Sequence, residues 1–125
     1  MTTRGADPRR IIVLSDEPLL RTVLCEAIER SIPNAVCIPA ASRAEVDNEL
    51  ASCDIAVAVL DTWHDGTNIS RWIGRLLMRC PRLGLVVFSE TPPTFAEAQR
   101  SGRVTYVEKA GENVSMVVEA CRRFC

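Results

Sequence analysis

The chain has 125 residues, 47% of them hydrophobic and 25% charged, with a formal net charge of -1 at pH 7. That length holds one domain with a substantial core and is too short for two. Near-neutral charge excludes a surface built mainly to coat nucleic acid or an anionic membrane.

The first nine residues, MTTRGADPR, carry no hydrophobic signal region and read as a disordered extension, with the domain occupying 10–125. IIVLS (11 to 15) is a continuous apolar run, the pattern of a strand buried on both faces. Asp16-Glu17-Pro18 then opens a helix, because proline suits the first helical position. Leu20, Val23, Leu24, Ala27 and Ile28 repeat at helical spacing until Pro33 ends it. A short strand, NAVCI, follows at about 34 to 38.

Ser42-Arg-Ala-Glu45 is a capping-box pattern and predicts a second helix over about 43 to 51. DIAVAVL (54 to 60) is another apolar strand, and it runs into Asp61. Ile69, Trp72, Ile73, Leu76, Leu77 and Cys80 mark the buried face of a third helix, with Arg71, Arg75 and Arg79 on its solvated side. LGLVVF (83 to 88) leads into Ser89, and Thr94-Phe-Ala-Glu97 starts a short fourth helix that Ser101-Gly102 closes. A fifth strand over 104 to 107 leads into Glu108-Lys109, and Val114, Val117, Val118, Cys121 and Phe124 trace a final helix.

Strands alternating with helices call for right-handed crossovers and a parallel sheet covered on both faces. The fold class is therefore α/β and doubly wound, and the expected arrangement is flavodoxin-like (βα)5, with a five-stranded parallel sheet in the order 2-1-3-4-5. No apolar segment is long enough to span a bilayer, so a cytoplasmic protein is expected. The six cysteines, at 25, 37, 53, 80, 121 and 125, form no C-x-x-C pair, and the single His64 gives no metal-ligand spacing. The thiols are expected to be reduced and to pack mostly as small hydrophobes.

In such a sheet the ligand site lies beyond the carboxyl ends of the strands, where the strand order reverses. The residues there are Asp16 and Glu17, Asp61, Ser89 and Lys109. Clustered carboxylates repel unless a cation joins them, and hard oxygen ligands suit magnesium. A lysine and a hydroxyl supply the charge and donors that phosphoryl oxygens need, so this set could transfer a phosphoryl group onto a carboxylate. The chain holds fourteen arginines and one lysine, Lys109, which marks a position suited to a compact point charge rather than a planar fork. Walker-type, GxGxxG, GxSxG and HExxH motifs are absent.

The segments IIVLSDEPLLR (11 to 21), DIAVAVLD (54 to 61), LGLVVFSE (83 to 90) and VTYVEKA (104 to 110) resemble, in order and spacing, the receiver domain of bacterial two-component response regulators. The resemblance implies that Asp61 is the phosphoacceptor for a sensor histidine kinase. It implies a magnesium ion held by Asp16, Asp61 and the Trp63 backbone carbonyl, with Glu17 as a further ligand. Ser89 takes the place of the switch hydroxyl, Lys109 pairs with the phosphoryl oxygens, and Tyr106 is the aromatic that moves with the hydroxyl. The output would be a change in binding to another protein, or to a DNA-binding domain beyond this chain. The face of the predicted fourth helix, fifth strand and last helix is also the expected homodimer surface. No membrane and no direct nucleic-acid binding are implied, and the domain would be a signalling acceptor rather than an enzyme, at most catalysing its own phosphorylation and dephosphorylation.

Three departures from the pattern stand out. Ser15 occupies the first of two adjacent acidic positions, which weakens the magnesium site because affinity depends on ligand charge. Ala110 follows Lys109 where the family has proline, and the loop after Asp61 is short. The alternative expectation is a degenerate receiver that binds partners without phosphorylation. An unrelated phosphotransferase component of similar fold would need a cysteine or histidine where Ser15 and Asp16 stand.

Overall fold

Side-chain alternation on two covered faces turns each apolar run into a central or edge strand of one parallel sheet. The computed structural model describes residues 8–52, 54–61, 69–89, 102–109 and 113–125. Its strands are β1 (Arg9–Leu14), β2 (Ala35–Ala40), β3 (Val57–Asp61), β4 (Gly84–Ser89) and β5 (Val104–Glu108). All neighbouring pairs are parallel and the order is β2-β1-β3-β4-β5, as the sequence predicts. The described helices are α1 (Pro18–Ser31), α2 (Arg43–Glu49) with a 3-10 turn at Leu50–Ser52, α3 (Ile69–Arg79) and α4 (Val114–Phe124). The helix predicted from Thr94 lies outside the described residues, as do residues 1–7 of the expected extension.

Odd and even strand positions feed two separate cores. Ile12, Leu14, Ala58, Leu60, Leu85 and Val87 pack with Val46 of α2 and with Trp72, Ile73 and Leu76 of α3. Ile11, Val13, Val57, Val59, Val86 and Phe88 pack on the other face with Leu24 and Ile28 of α1 and Val117, Val118 and Cys121 of α4. Each fully buried aliphatic side chain contributes about 1.5–3 kcal/mol relative to exposure, so both faces are needed to hold the sheet.

Several element ends differ from the sequence reading for local reasons. β2 runs on to Ala40 through Pro39, which is paired in register with Val13. Because β2 is an edge strand, the missing N–H at Pro39 costs no ladder bond on the outer side. Asn34 turns the chain from α1 into β2 at φ 64, a left-handed conformation that asparagine tolerates, and its carbonyl accepts from the Arg9 N–H at 2.8 Å. Ser42 caps α2 as predicted, accepting from the Glu45 N–H at 3.2 Å, while the Glu45 carboxylate accepts from the Ala41 N–H at 3.0 Å.

Arg103 forms a clip that the sequence did not announce. Its guanidinium donates to the carbonyls of Leu83 at 3.0 Å, Leu77 at 3.2 Å and Cys80 at 2.5 Å. One side chain thus caps α3 and fastens the start of β5 to the start of β4. The cysteine expectation needs one correction. Cys25, Cys37, Cys121 and Cys125 are free thiols, but Cys80, buried at the end of α3, is disulfide-bonded. The other half of that bond lies outside the described residues.

Candidate functional site

Parallel register aligns the carboxyl ends of the central strands at one edge. Leu14 pairs with Leu60, Asp61 with Phe88, and Ser89 with Glu108. The next residues of β1 and β5, Ser15 and Lys109, therefore flank Asp61 at the crevice between β1 and β3, where the chain order reverses.

Asp61 is the centre of the arrangement. Its side chain is 0% exposed, and Lys109, 15% exposed, places Nζ 2.5 Å from Oδ1. Ser15, itself fully buried, donates from Oγ to Asp61 Oδ2 at 2.8 Å. A carboxylate withdrawn from water is tolerated only when paired and hydrogen-bonded, and here both oxygens are engaged. The Ser15 oxygen in turn accepts the Glu17 N–H at 3.1 Å, which fixes the turn from β1 into α1. Pro18 then starts the helix.

The other predicted residues fall around this centre at different depths. Glu17 approaches Lys109 to 4.0 Å but is 55% exposed, so its attraction is largely screened. Asp16 is exposed beside Ser15. Ser89 is buried, and its carbonyl accepts two bonds, from the Lys109 N–H at 2.7 Å and the Tyr106 hydroxyl at 3.1 Å. Tyr106 is thereby held along the sheet edge, half-buried. Lys109 Nζ also lies 5.8 Å from the centre of the Phe88 ring. Trp63, predicted to offer a backbone carbonyl, and Ala110 lie outside the described residues.

The geometry adds two residues. Ser15 is a direct partner of Asp61 rather than only a lost acid. Arg21, one turn into α1, donates to the Ser15 carbonyl at 2.6 Å and so braces the same turn. A basic residue following the acidic pair of a strand end was the available signal for Arg21. Among the described residues, no group of three His, Cys, Asp or Glu side chains is arranged to hold a metal ion. Two features of the described residues count against magnesium at this centre as it stands. A hydroxyl replaces one carboxylate, and both oxygens of Asp61 already have partners.

No family model matches the chain, and no curated protein matches it. Solved structures do. Response regulator TrrA of Thermotoga maritima, in complex with Mg2+ and BeF, is similar at TM-score 0.74 and 17% identity, covering 94% of this chain and 99% of that one. An orphan response regulator of H. pylori is similar at TM-score 0.71 and 12% identity, over 92% of this chain and 97% of that one. A response regulator of Burkholderia pseudomallei with a phosphorylated aspartic acid, a calcium ion and citrate is similar at TM-score 0.71 and 18% identity. That match covers 90% of this chain and 66% of the other. The fold is thus that of response-regulator receiver domains, as the sequence resemblance implies.

Proposed function

We propose that the chain is a receiver-type signalling module whose Asp61 centre is stabilised internally, and that it acts by binding a protein partner without magnesium-dependent phosphorylation. The observation that carries this reading is the engagement of both Asp61 oxygens, by Ser15 Oγ at 2.8 Å and Lys109 Nζ at 2.5 Å. Freeing Oδ2 for another ligand breaks a charge-assisted bond of about 1.5–3 kcal/mol, and Ser15 brings no negative charge with which to recruit a cation. The partner-binding surface belongs to the side of β5 and α4, which adjoins Tyr106 and Lys109. Membrane attachment by a spanning helix has no support, since no described helix is long and apolar enough to cross a bilayer.

One observation favours a second reading, in which Asp61 accepts a phosphoryl group from a sensor histidine kinase. Lys109 already reaches Asp61, and the Tyr106 hydroxyl is already tied to Ser89. The hydroxyl-bearing residue, the cation and the aromatic of a phosphoryl switch are therefore in one place. In that reading Asp61 is the acceptor and Lys109 offsets the charge of the transferred group. Ser89 and Tyr106 would then transmit the change to an output protein or a second copy.

Amide shifts recorded while magnesium and beryllofluoride, a phosphoryl mimic, are added separate the two. The proposal expects no perturbation at millimolar magnesium in the parent protein. Shifts around Asp61, Ser89 and Tyr106 that vanish in Asp61→Asn would replace it with the phosphoacceptor reading.

A further inference from the structure

The end of the sheet opposite Asp61 carries an open cavity of about 830 Å³, where the chain enters β1, β3 and β4 and where α1 and α4 end. It shares no residue with the Asp61 site, from which β3 alone separates it by about 16 Å of strand. Backbone hydrogen bonds tie its parts together. The Arg9 N–H donates to the Asn34 carbonyl at 2.8 Å, the Ala56 N–H to the Arg10 carbonyl at 2.9 Å, and the Gly84 N–H to the Ala56 carbonyl at 3.0 Å. The cavity is thus built on the ends of paired strands, which hold side chains more firmly than a loop does.

Charge around the cavity is one-sided. Arg9, Arg10, Arg82 and Arg122 line it against a single carboxylate, Asp54. The whole chain has a formal net charge of -1, so this excess is local and does not reflect a basic protein. Two of the four arginines have partners within the fold. Arg10 lies 3.9 Å from Asp54 in an exposed, screened pair, and Arg122 pairs with Glu119 and donates to the Ser31 carbonyl at 3.2 Å. Arg9 and Arg82 are both exposed, and among the described residues neither has a carboxylate within ion-pair distance. Cations gathered in this way leave a positive potential that a bound anion offsets.

Ile32, Ile55 and Phe124 add an apolar part to the same lining, the two isoleucines buried and the ring half-buried. A volume of this size is in the range of small-molecule sites, about 300–1,000 Å³, in which apolar walls carry a few placed polar groups. We propose that the cavity binds a small phosphorylated ligand with an aromatic or apolar body, of the class of a nucleoside diphosphate. Arg9 and Arg82, with Arg122, hold its phosphates, and Ile32, Ile55 and Phe124 receive its body. Guanidinium forks suit this task because each can donate two parallel bonds to phosphate oxygens. Two phosphates also bring the counter-charge that Asp54 alone does not supply.

The test follows amide shifts of the whole chain as ADP is added in chelator, without magnesium, so that chemistry at Asp61 takes no part. Saturable shifts at Asn34, Ala56 and Phe124 are expected, with Asp61 and Lys109 unmoved. Arg9→Ala and Arg82→Ala should each weaken ADP binding about tenfold, and Arg75→Ala on the exposed side of α3 should leave it unchanged. Pyrophosphate and adenosine should each bind at least about tenfold more weakly than ADP, because each meets only one part of the lining. Both arginines are exposed, so the variants should melt with the parent, and Arg82→Gln serves if an alanine variant does not. Absence of a saturable shift at millimolar ADP overturns the proposal, as do shifts confined to the Asp61 end or equal weakening in Arg75→Ala. Pyrophosphate binding as tightly as ADP removes the apolar lining from the site and overturns the ligand class. Displacement of ADP by an equal concentration of an aspartate-rich peptide overturns it too, and makes the cavity a docking site for protein.

Discussion

Ser15 donates a 2.8 Å hydrogen bond to Asp61 across the crevice between β1 and β3, joining the ends of two strands through buried side chains. A hydroxyl here does what a second carboxylate cannot, because two adjacent negative charges repel in a site withdrawn from water. The substitution thus trades affinity for a cation against stability without one. This is the relationship on which the behaviour of the site turns.

Ser15→Asp tests that trade directly. The variant replaces a donor with a like charge beside Asp61, so in chelator it should be less stable than the parent by about 1–3 kcal/mol. Magnesium should recover the loss, since a ligand that binds only the folded state stabilises it by mass action. Thermal melts with and without millimolar magnesium should show a magnesium-dependent rise in Tm in the variant and little in the parent. Equal responses in the two proteins would show that Ser15 does not control cation binding.

Lys109 is the only cation placed within bonding distance of Asp61 among the described pairs. Removing it as Lys109→Met leaves a buried, half-compensated carboxylate and should cost about 3–5 kcal/mol in urea unfolding. Asp61→Asn combined with Lys109→Met should recover much of that loss, because the charge that needed a partner has gone. Lys109→Arg should keep most of the stability. It should alter the approach to Asp61 Oδ1, because a planar fork cannot take the place of a compact ammonium.

The strand-end residues were legible because periodicity marks the strands and parallel strands bring their carboxyl ends together. Asp61, Ser89 and Lys109 could be placed at one edge without coordinates for that reason. The order 2-1-3-4-5, in contrast, was the expectation for a flavodoxin-like unit, which alternation alone does not select over the other doubly wound order. The Ser15 to Asp61 bond was not legible, since sequence shows a missing acid but not which oxygen the hydroxyl faces. Nor was the extension of β2 through Pro39, which depends on β2 being the outer strand. The Arg103 clip was hidden as well, because one of fourteen arginines carries no mark until α3, β4 and β5 are brought together.

Arg103 should therefore matter more than any arginine of the exposed stripe at Arg71, Arg75 and Arg79. It satisfies three carbonyls from the end of α3 to the start of β4, and Arg103→Ala leaves those acceptors to water or to nothing. A loss of about 2–3 kcal/mol is expected, with Arg103→Lys recovering less than half because an ammonium cannot span all three. Chemical denaturation of Arg103→Ala beside Arg75→Ala, which should change stability by no more than about 0.5 kcal/mol, provides the comparison.

Gly84 opens β4 directly beneath the ring of Phe124 at the end of α4. A Cβ at this position would lie 2.6 Å from Phe124 Cδ1, closer than real carbon contacts allow. The glycine is needed here for space and not for backbone freedom, and the room it leaves lets Phe124 pack against the core that α1 and α4 share. Gly84→Ala should thus cost about 1–3 kcal/mol through overpacking. The effect should depend on the ring: in a Phe124→Ala background the same change should cost little, since the clashing atoms are absent. A double-mutant cycle in urea reads the coupling, and additive losses would mean that Gly84 is required for its backbone after all.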